Sequence, residues 1–377
     1  MATKMIGLCI SYNHINYGTL LQAFATQYAV ERLGYETEII DYHPGKETHP
    51  RYNAAHFLLM GRFLLFDLTH RKPALDQAHS DGADQRKAAA EQFRRDYLHS
   101  MVSCHGYTEL CKTAGRYKAV ITGSDQVWNP RTANSSFYTL RFVPPGIRRI
   151  SYASSMGVSK YPWYLRREAS DFLSKIDCLS VREESAASII SGLIGKTPMV
   201  VCDPTGLLTA EEWAHCIKPE LPEKEYIFCY FLGDCRDGRE LAVSMAAKTG
   251  LPVWGIAAAD HTADESYCDK VFYDADVPAF VNLIRGASMV LTDSFHGTML
   301  SLIHEKEFFV FHRMRKNTPY QRNARIDDLL RHMGLTGRLV TGNNIPQKKI
   351  DYSVFTPVME QFRAESVSFL RQSLEGL

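Results

Sequence analysis

The sequence predicts an α/β protein in which two doubly wound domains face each other across a cleft. The chain opens with an apolar strand (residues 5–10), a polar turn, a helix with apolar side chains at helical spacing and a second strand (residues 36–42). Strands and helices alternate again after residue 225, which is typical of a second parallel sheet. Ligands bind such sheets at the turns that follow the strands, so we expect the site where these turns meet.

Prolines cluster between residues 204 and 222, and we place the domain boundary there. The first domain then covers residues 1–204, with an irregular insertion at about 44–101, the second covers residues 205–350, and an amphipathic helix fills residues 351–377. The remaining predicted strands are residues 117–122, 149–153, 178–181, 199–202, 226–232, 251–256, 287–291 and 308–311. The predicted helices between them include residues 165–176, 239–249 and 277–286.

Composition indicates an ordinary soluble globular protein, with 45% hydrophobic and 23% charged residues. The net charge of +1 gives no indication of a basic surface that would bind nucleic acid. The nine cysteines are scattered without metal-binding spacing, so we expect reduced thiols and no metal site. The start of the chain does not resemble a signal peptide, and no apolar run approaches the roughly 20 residues that span a bilayer. We therefore expect a cytoplasmic protein.

Two stretches of the insertion predict helices. Residues 57–66 are strongly apolar, with Arg62 inside and Arg71 and Lys72 following. Burial in the core is the favoured interpretation, and a helix lying on a membrane surface is the alternative. Residues 84–97 are highly charged and predict a solvated helix.

The turn that is richest in reactive side chains follows the strand that ends at Leu291, and an apolar helix comes after the turn. Gly297 allows close approach of the backbone to a ligand, and the new helix offers free N–H groups to an anion. His296 can exchange a proton near neutral pH. The alternative is that Asp293 or Ser294 simply caps the helix and that His296 is a surface residue in its first turn.

Two further strand ends carry charged side chains. Asp125 could orient a sugar hydroxyl or act as a base, or it could satisfy its own turn. Arg182 directly follows a strand and could bind phosphate or carboxylate with its planar fork. The alternative for Arg182 is an ordinary ion pair with Glu183 or Glu184.

Other candidates are basic or aromatic. A basic segment after residue 311 predicts a loop that contacts phosphates or merely faces solvent, and it contains Arg313, Arg315, Lys316, Arg322 and Arg325. Aromatic rings in the turns could lie against a sugar or pack beneath the loops, and these are Tyr12, Tyr17 and Trp128.

Four segments in this order resemble the polysaccharide pyruvyl transferase family, and the similarity runs from about residue 6 to about residue 339. They are Asn16-Tyr17-Gly18-Thr19-Leu20-Leu21-Gln22, Gly123-Ser124-Asp125-Gln126-Val127-Trp128, Ser180-Val181-Arg182-Glu183 and Thr292-Asp293-Ser294-Phe295-His296-Gly297. The resemblance implies Rossmann-like domains in a glycosyltransferase-B-like arrangement, with the terminal helix returning to the first domain. It also implies transfer of the enolpyruvyl carbons of phosphoenolpyruvate to two hydroxyls of one sugar, giving a cyclic pyruvate ketal and phosphate.

The resemblance implies that His296 and Arg182 act on the donor and acceptor. We expect His296 as general acid and base, Arg182 on the donor anion and Asp125 as base or acceptor-orienting group. Some relatives carry an arginine two residues before the histidine, where this chain has Ser294, so Lys316 or Arg325 could bind the donor instead. The expected substrate-binding residues are Asn16, Tyr17, Gly18, Ser124, Gln126, Trp128, Ser154, Ser294, Gly297, Lys316 and Arg325.

The expected partners follow from this chemistry. Phosphoenolpyruvate is the co-substrate, no cofactor or metal is expected, and the acceptor is a cell-surface saccharide or its lipid-linked precursor. A lipid-linked acceptor would suit peripheral contact with the inner face of the cytoplasmic membrane. Two alternatives stay open, namely a nucleotide-sugar glycosyltransferase and a catalytically silent carbohydrate-binding relative. The sequence leaves the acceptor sugar and the oligomeric state undetermined.

Overall fold

Two parallel sheets with alternating helices form the protein. The computed structural model describes residues 5–45, 57, 58, 60, 61, 64, 65, 68, 75–130, 137–258, 263–313, 323–342 and 344–377. All nine cysteines are free thiols. In the described residues, no helix combines the length and the apolar character needed to cross a membrane.

The first sheet has seven strands in the order β3-β2-β1-β4-β5-β6-β7. Its strands are β1 (Met5–Cys9), β2 (Glu36–His43), β3 (Met101–His105), β4 (Ala119–Thr122), β5 (Arg148–Ser154), β6 (Cys178–Val181) and β7 (Met199–Val200). Its helices are α1 (Tyr17–Arg32), α2 (Gln77–Tyr97), α3 (Tyr107–Ala114), α4 (Arg166–Leu173) and α5 (Glu184–Ile194). A short 3₁₀ turn, Trp163–Leu165, precedes α4.

The second sheet has five strands in the order β10-β9-β8-β11-β12. A 3₁₀ turn (Pro204–Leu207) and α6 (Ala210–Cys216) connect the two sheets. The strands are β8 (Ile227–Tyr230), β9 (Val253–Ile256), β10 (Lys270–Phe272), β11 (Met289–Thr292) and β12 (Glu307–Val310). The helices are α7 (Arg236–Thr249), α8 (Val277–Gly286), α9 (Phe295–Ile303), α10 (Ala324–His332) and the terminal α11 (Tyr352–Leu374), with a 3₁₀ turn at Thr336–Arg338.

In each sheet the order in which successive strands are added reverses once, and this reversal determines where a ligand can bind. From β1 the chain moves outward through β2 and β3, and it then returns to add β4 on the other side of β1. In the second sheet β11 lies on the opposite side of β8 from β9. The turns after such neighbouring strands diverge and leave a crevice at the carboxyl edge of the sheet. The turns after β1, β4 and β11 are therefore natural binding positions.

Helices of the first domain reach across to the second. The hydroxyl of Tyr17, at the start of α1, donates to the carbonyl oxygen of Ala275 at 2.7 Å, and its ring stacks on Phe280 with centroids 4.6 Å apart. From α2, Arg86 donates to the carbonyl oxygens of Ala257 and Ala258 at 2.7 and 3.1 Å. The prediction of a solvated helix over residues 84–97 is therefore wrong for one face, which is buried against the second domain.

The terminal helix contacts the first domain through polar bonds as well as apolar packing. Ser366 accepts a hydrogen bond from the backbone N–H of Cys202 at 2.9 Å. The hydroxyl of Tyr35 donates to the carbonyl oxygen of Leu374 at 2.6 Å, and the buried ring of Phe362 belongs to the same core as α1. This helix therefore lies across the connection between the two sheets.

The apolar stretch at residues 57–66 is not buried where it is described. Leu58 is 72% exposed and Leu64 is 62% exposed, although both are helical. The preference for a core helix is thus wrong for these residues. Apolar periodicity alone cannot distinguish a buried helix from one whose apolar face has no protein partner.

Several elements were absent from the predicted set, among them two strands and the helices α3, α6 and α10. Strands β3 and β10 lie at the outer edges of their sheets, and an edge strand can be short and partly polar. Helix α10 begins inside the basic segment that predicted a loop, because Ile326, Leu329 and Leu330 bury one side of it. Arg325 consequently lies in the first turn of a packed helix.

A buried histidine links α2 to the second domain and makes stability depend on pH. Only 3% of the His79 side chain is exposed, and its two ring nitrogens donate to Asp76 Oδ1 at 2.8 Å and to Glu265 Oε1 at 3.1 Å. Burial lowers the pKa of His79, but these carboxylates outweigh it and raise the pKa above its ordinary value of 6.5. The folded state therefore binds the proton more tightly than the unfolded chain.

We expect the His79 contribution to stability to be complete below pH 6.5 and to be lost as the pH rises through the higher pKa of the folded state. Loss of hydrogen bonds to charged groups predicts that His79→Gln lowers the free energy of unfolding by about 1.5–3 kcal/mol at low pH. Urea unfolding at a series of pH values measures this difference, which should shrink at higher pH. A difference that did not change with pH would contradict the account.

Candidate active site between the two domains

A buried carboxylate, Asp203, lies at the centre of the polar cluster between the domains. Its Oδ2 accepts hydrogen bonds from Arg182 Nη1 at 2.6 Å and from Ser124 Oγ at 2.7 Å. Its Oδ1 accepts from the backbone N–H and the hydroxyl of Thr205, at 3.0 and 2.6 Å. Burial raises the pKa of Asp203, but His296 and Arg182 outweigh it and hold the pKa well below its usual range. Asp203 is therefore a permanent anion that orients its neighbours.

Arg182 directly follows β6 and is almost completely buried, with 1% of its side chain exposed. Only Nη1 is occupied, by Asp203 and by Ser124 Oγ at 3.2 Å. Nε and Nη2 are buried without a hydrogen-bond partner in the described residues, and the nearest Glu183 oxygen is 3.8 Å from Nε. Burial lowers the pKa of Arg182, but Asp203 and Glu183 raise it overall. Arg182 therefore presents a charged guanidinium group, with N–H donors that have no partner among the described residues, to any ligand that enters the site.

A second guanidinium lies near the same aromatic ring as Arg182. The Phe295 centroid is 4.4 Å from Arg182 Cζ and 5.9 Å from Arg325 Cζ. Nε of Arg325 is also buried without a partner among the described residues. Burial, followed by the charge of Arg182, lowers the pKa of Arg325 to about 9, so it stays protonated at neutral pH. Two neighbouring cations with unpaired donors favour an anion between or beside them.

His296 lies in the first turn of α9, and its imidazole packs against Gly18 at the start of α1. A Cβ atom at Gly18 would lie 1.9 Å from His296 Nδ1, so only glycine allows this approach of the two helices. His296 Nε2 lies 3.7 Å from Asp203 Oδ2 and has no hydrogen-bond partner in the described part of the chain. The imidazole is thus held by packing, with one nitrogen available to a substrate.

Asp125 follows β4 and completes the cluster from the first domain. Its φ of +71° lies in the left-handed region, which aspartate tolerates better than most residues. Its Oδ2 accepts from Thr19 Oγ1 at 2.9 Å, and its Oδ1 accepts from the backbone N–H of Gln126 at 2.8 Å. Burial raises the pKa of Asp125, but Arg182, Arg325 and His296 lower it overall. This carboxylate is partly exposed and ionised, as a hydroxyl-binding group requires.

Several predicted site residues stabilise the turns around this cluster. Ser294 caps α9 by accepting from the backbone N–H of Gly297 at 3.3 Å, and Asn16 caps α1 by accepting from the backbone N–H of Thr19 at 3.2 Å. Ser154 donates to the carbonyl oxygen of Gly123 at 3.1 Å. These three side chains form hydrogen bonds within the protein, and these bonds stabilise the turns around the cluster.

The predicted aromatic and amide side chains form contacts within the protein. Trp128 is fully buried, and its indole N–H donates to the carbonyl oxygen of Tyr138 at 3.0 Å, so it packs beneath the loop and offers no exposed face to a sugar. Tyr17 is part of the contact between the domains described above. Gln126 accepts from the Asn129 side chain at 3.2 Å. Lys316 lies outside the described residues.

Asp203 and Phe295 were not among the predicted site residues. Asp203 was visible only as the residue between a strand end and Pro204, close to the domain boundary. A strand-end carboxylate that follows a buried strand was the available signal, because Asp125 was identified in the same way. No group of three or more His, Cys, Asp or Glu side chains in the described ranges is arranged to hold a metal ion.

Comparisons with solved structures agree with this architecture. A putative UDP-N-acetylglucosamine 2-epimerase from Listeria monocytogenes aligns with 100% of this chain and 90% of its own, at 10% identity and a TM-score of 0.50. A UDP-GlcNAc 2-epimerase from Methanocaldococcus jannaschii aligns with 96% of this chain and 92% of its own, also at 10% identity and a TM-score of 0.50. At this identity the likeness concerns the fold alone. It confirms the predicted two-domain, glycosyltransferase-B-like α/β fold.

A comparison with proteins of curated function found no match. The family model described as polysaccharide pyruvyl transferase matches residues 16–312, which is most of the chain. The match includes Gly18, Asp125, Arg182, Asp203 and His296, the residues that meet between the domains. The chain therefore belongs to the polysaccharide pyruvyl transferase family.

Proposed function

We propose that this protein transfers the enolpyruvyl carbons of phosphoenolpyruvate to two hydroxyls of one sugar, forming a cyclic pyruvate ketal and releasing phosphate. The observation that carries the proposal is a group of buried donors at the domain junction that have no partner among the described residues, namely Arg182 Nε and Nη2, Arg325 Nε and His296 Nε2. Phosphoenolpyruvate carries a phosphate and a carboxylate, so it needs a site with more than one cation. The sugar belongs to a cell-surface polysaccharide or its lipid-linked precursor.

The donor would be held by the two arginines that lie near the ring of Phe295. Arg182 keeps Asp203 on Nη1 and offers its other two nitrogens to the phosphate or carboxylate. Arg325 supplies the second positive charge, which takes the place of the arginine that some relatives carry at the position of Ser294. The proposal requires no separate cofactor, because phosphoenolpyruvate itself supplies the transferred group.

The first chemical step adds a proton to C3 of the donor while one sugar hydroxyl attacks C2. The C2–C3 double bond becomes single, a C2–O bond forms, and the hydroxyl proton leaves to a base. The second hydroxyl then forms another C2–O bond as the bond to phosphate breaks, and its proton leaves with phosphate. Two hydroxyl protons are released, one is gained at C3 and one by phosphate, so the reaction balances without an oxidant.

His296 is the group we assign to these proton transfers. Its free Nε2 faces the cluster, and the anion Asp203, 3.7 Å away, stabilises the imidazolium that forms when His296 accepts a proton. Asp125, fixed by Thr19, would accept a hydrogen bond from the attacking hydroxyl and so orient it. The arginines would stabilise the charge that develops on the departing phosphate.

Calorimetric titration of the full chain tests the donor assignment. We expect phosphoenolpyruvate to bind and a nucleoside-diphosphate sugar not to be preferred over it. Binding of the nucleotide sugar without binding of phosphoenolpyruvate would contradict the proposal and would favour a nucleotide-sugar glycosyltransferase. Saturable sugar binding without phosphate release from phosphoenolpyruvate would favour a silent relative.

Gly18→Ala should lower kcat by about 10²-fold, because the new Cβ would displace the imidazole of His296 and a shift of about 1 Å can misalign the reacting groups that strongly. Gly192→Ala is the matched control. Gly192 lies inside α5, and a Cβ there would meet no atom within 4 Å. Both variants should keep wild-type circular dichroism. Equal activity of the two variants would show that the contact between Gly18 and His296 has no catalytic importance.

We also propose that the helical residues around 57–68 contact an anionic membrane surface, which would suit a lipid-linked acceptor. Support comes from the exposure of Leu58, Met60 and Leu64, together with the neighbouring basic residues Arg71 and Lys72 in the sequence. The wild-type protein should sediment with vesicles containing phosphatidylglycerol, whereas the double variant Leu58→Glu/Leu64→Glu should remain in the supernatant. Wild-type protein that stayed in the supernatant would contradict this proposal without affecting the catalytic one.

A further inference from the structure

A second cavity, of about 360 Å³, lies on the side of the second domain opposite the candidate active site. Its walls come from the connection between the sheets (residues 209–211), from the end of α9 with the turn that follows it (residues 302–306) and from the terminal helix (residues 352–363). This turn precedes β12, so the cavity lies at the amino edge of the second sheet, whereas His296 lies at the carboxyl edge. The nine residues of α9 separate the two places by roughly 13 Å.

The cavity is lined by four basic side chains, and among the described residues two of them have a buried nitrogen without a hydrogen-bond partner. Arg285 donates from Nη1 to the carbonyl oxygen of Ile217 at 3.1 Å and to Asn282 Oδ1 at 2.6 Å, but its Nη2 is buried without a partner. Nε2 of His304 is buried without a partner as well, counting only described residues. The other two basic groups are Lys306 and Arg363, both partly buried.

Burial and the mutual repulsion of these basic groups outweigh the acids of the cavity wall. Burial and then the charge of Arg285 lower the pKa of Lys306. Burial, Arg285 and Lys306 together lower the pKa of His304 to about 3, against the weaker influence of Glu211. The acidic wall residues Glu211, Glu305 and Glu360 lie at the exposed rim. At neutral pH His304 is therefore uncharged, and the cations Arg285, Lys306 and Arg363 are partly buried while the acids are exposed, so an anion inside the cavity would stabilise these cations.

We propose that this cavity binds a small anion that carries a phosphoryl group, at a site separate from the catalytic one. The planar forks of Arg285 and Arg363 suit phosphoryl oxygens, and Lys306 adds a charge at the same cavity. The remaining wall includes the apolar and aromatic side chains of Tyr352, Phe355 and Met359, which suit an attached carbon skeleton. A cavity of this volume accommodates a ligand of small-metabolite size.

The position of the cavity predicts what the bound anion does to the protein. The Arg363 side chain already donates from Nε to the carbonyl oxygen of Gly206 at 2.8 Å, which joins the terminal helix to the connection between the sheets. The hydroxyl of Tyr352 donates to the carbonyl oxygen of Lys306 at 2.5 Å, which joins the same helix to the second domain. An anion in this cavity would add a third link among these parts, so binding should protect all of them from hydrogen exchange.

The test uses the full chain with inorganic phosphate and with glucose 6-phosphate as probes, at ionic strength matched with sodium chloride. Hydrogen–deuterium exchange should show protection at residues 302–306 and 352–363 in the presence of at least one probe. Protection by phosphate alone identifies the free ion as sufficient, and protection only by the sugar phosphate identifies an organic phosphate. Absence of protection at these segments with both probes would overturn the proposal.

Variants separate this site from the catalytic one. Lys306→Gln should weaken the binding that protects residues 302–306 by about tenfold or more, the effect of losing a hydrogen bond to a charged group. Arg182→Lys should leave that protection unchanged, even if the proposed reaction were incorrect. Unchanged affinity in Lys306→Gln, or loss of the protection in Arg182→Lys with Lys306 intact, would place the anion elsewhere and contradict the proposal.

Discussion

Replacing His296 with alanine should lower kcat by about 10²–10⁴-fold, the usual contribution of general acid–base catalysis. The variant loses the imidazole whose Nε2, unpaired among the described residues, faces the cluster beside Asp203, and alanine leaves no group at that position that can transfer a proton. Acceptor-dependent phosphate release measures the effect. Donor affinity should change much less than kcat, because the arginines hold the anion.

His99→Ala is the control for this variant. His99 is exposed, and its Nε2 bonds only the surface carboxylate of Glu31 at 2.9 Å, far along α1 from the site. It should retain wild-type turnover. Turnover of His296→Ala within a few fold of wild type would show that another group transfers the protons.

Arg182→Lys should lower kcat/KM for phosphoenolpyruvate by about 10²–10³-fold, which is typical for the loss of a charge-stabilising donor. A lysine ammonium is a single point of charge, so it cannot bond Asp203 and also present a planar fork to the donor. Lysine is preferred to alanine as the test because alanine would leave the buried Asp203 carboxylate without its cation. Breaking a buried pair in that way destabilises a protein by about 3–5 kcal/mol.

Arg141→Lys provides the comparison for Arg182→Lys. Arg141 forms ion pairs with Glu168 at 2.9 Å and Asp171 at 3.2 Å on the surface of the first domain. It should alter neither parameter for the donor. A similar loss in both variants would indicate a general effect on stability, and wild-type kcat/KM in Arg182→Lys would remove Arg182 from donor binding.

Local signals in the sequence were sufficient to predict most of the sheet elements and part of the site. The polar turn that begins α9 was identified because an apolar strand precedes it and an apolar helix follows it. Asp125 and Arg182 were identified for the same reason, since each directly follows a strand. The structure brings both near His296, although 114 residues separate Arg182 from His296 in the printed numbering.

The features that were not predicted from the sequence depend on contacts between residues that are distant along the chain. Asp203 acquires its importance only because Ser124, 79 residues earlier, and Arg182, 21 residues earlier, both donate to it. The buried face of α2 is defined by the carbonyl oxygens of Ala257 and Ala258, 171 and 172 residues from Arg86. Neither the hydrophobic period nor turn chemistry carries such information, because both describe only neighbouring residues.

The most direct test of the proposed reaction is phosphate release from phosphoenolpyruvate, measured against a panel of β-galactosides and N-acetylmannosaminides that includes lipid-linked ones. The account predicts release that depends on one acceptor, with the sugar product gaining a pyruvate ketal by mass spectrometry. If no acceptor gave release and calorimetry showed no binding of phosphoenolpyruvate, the central claim would be contradicted and only the fold and family membership would stand.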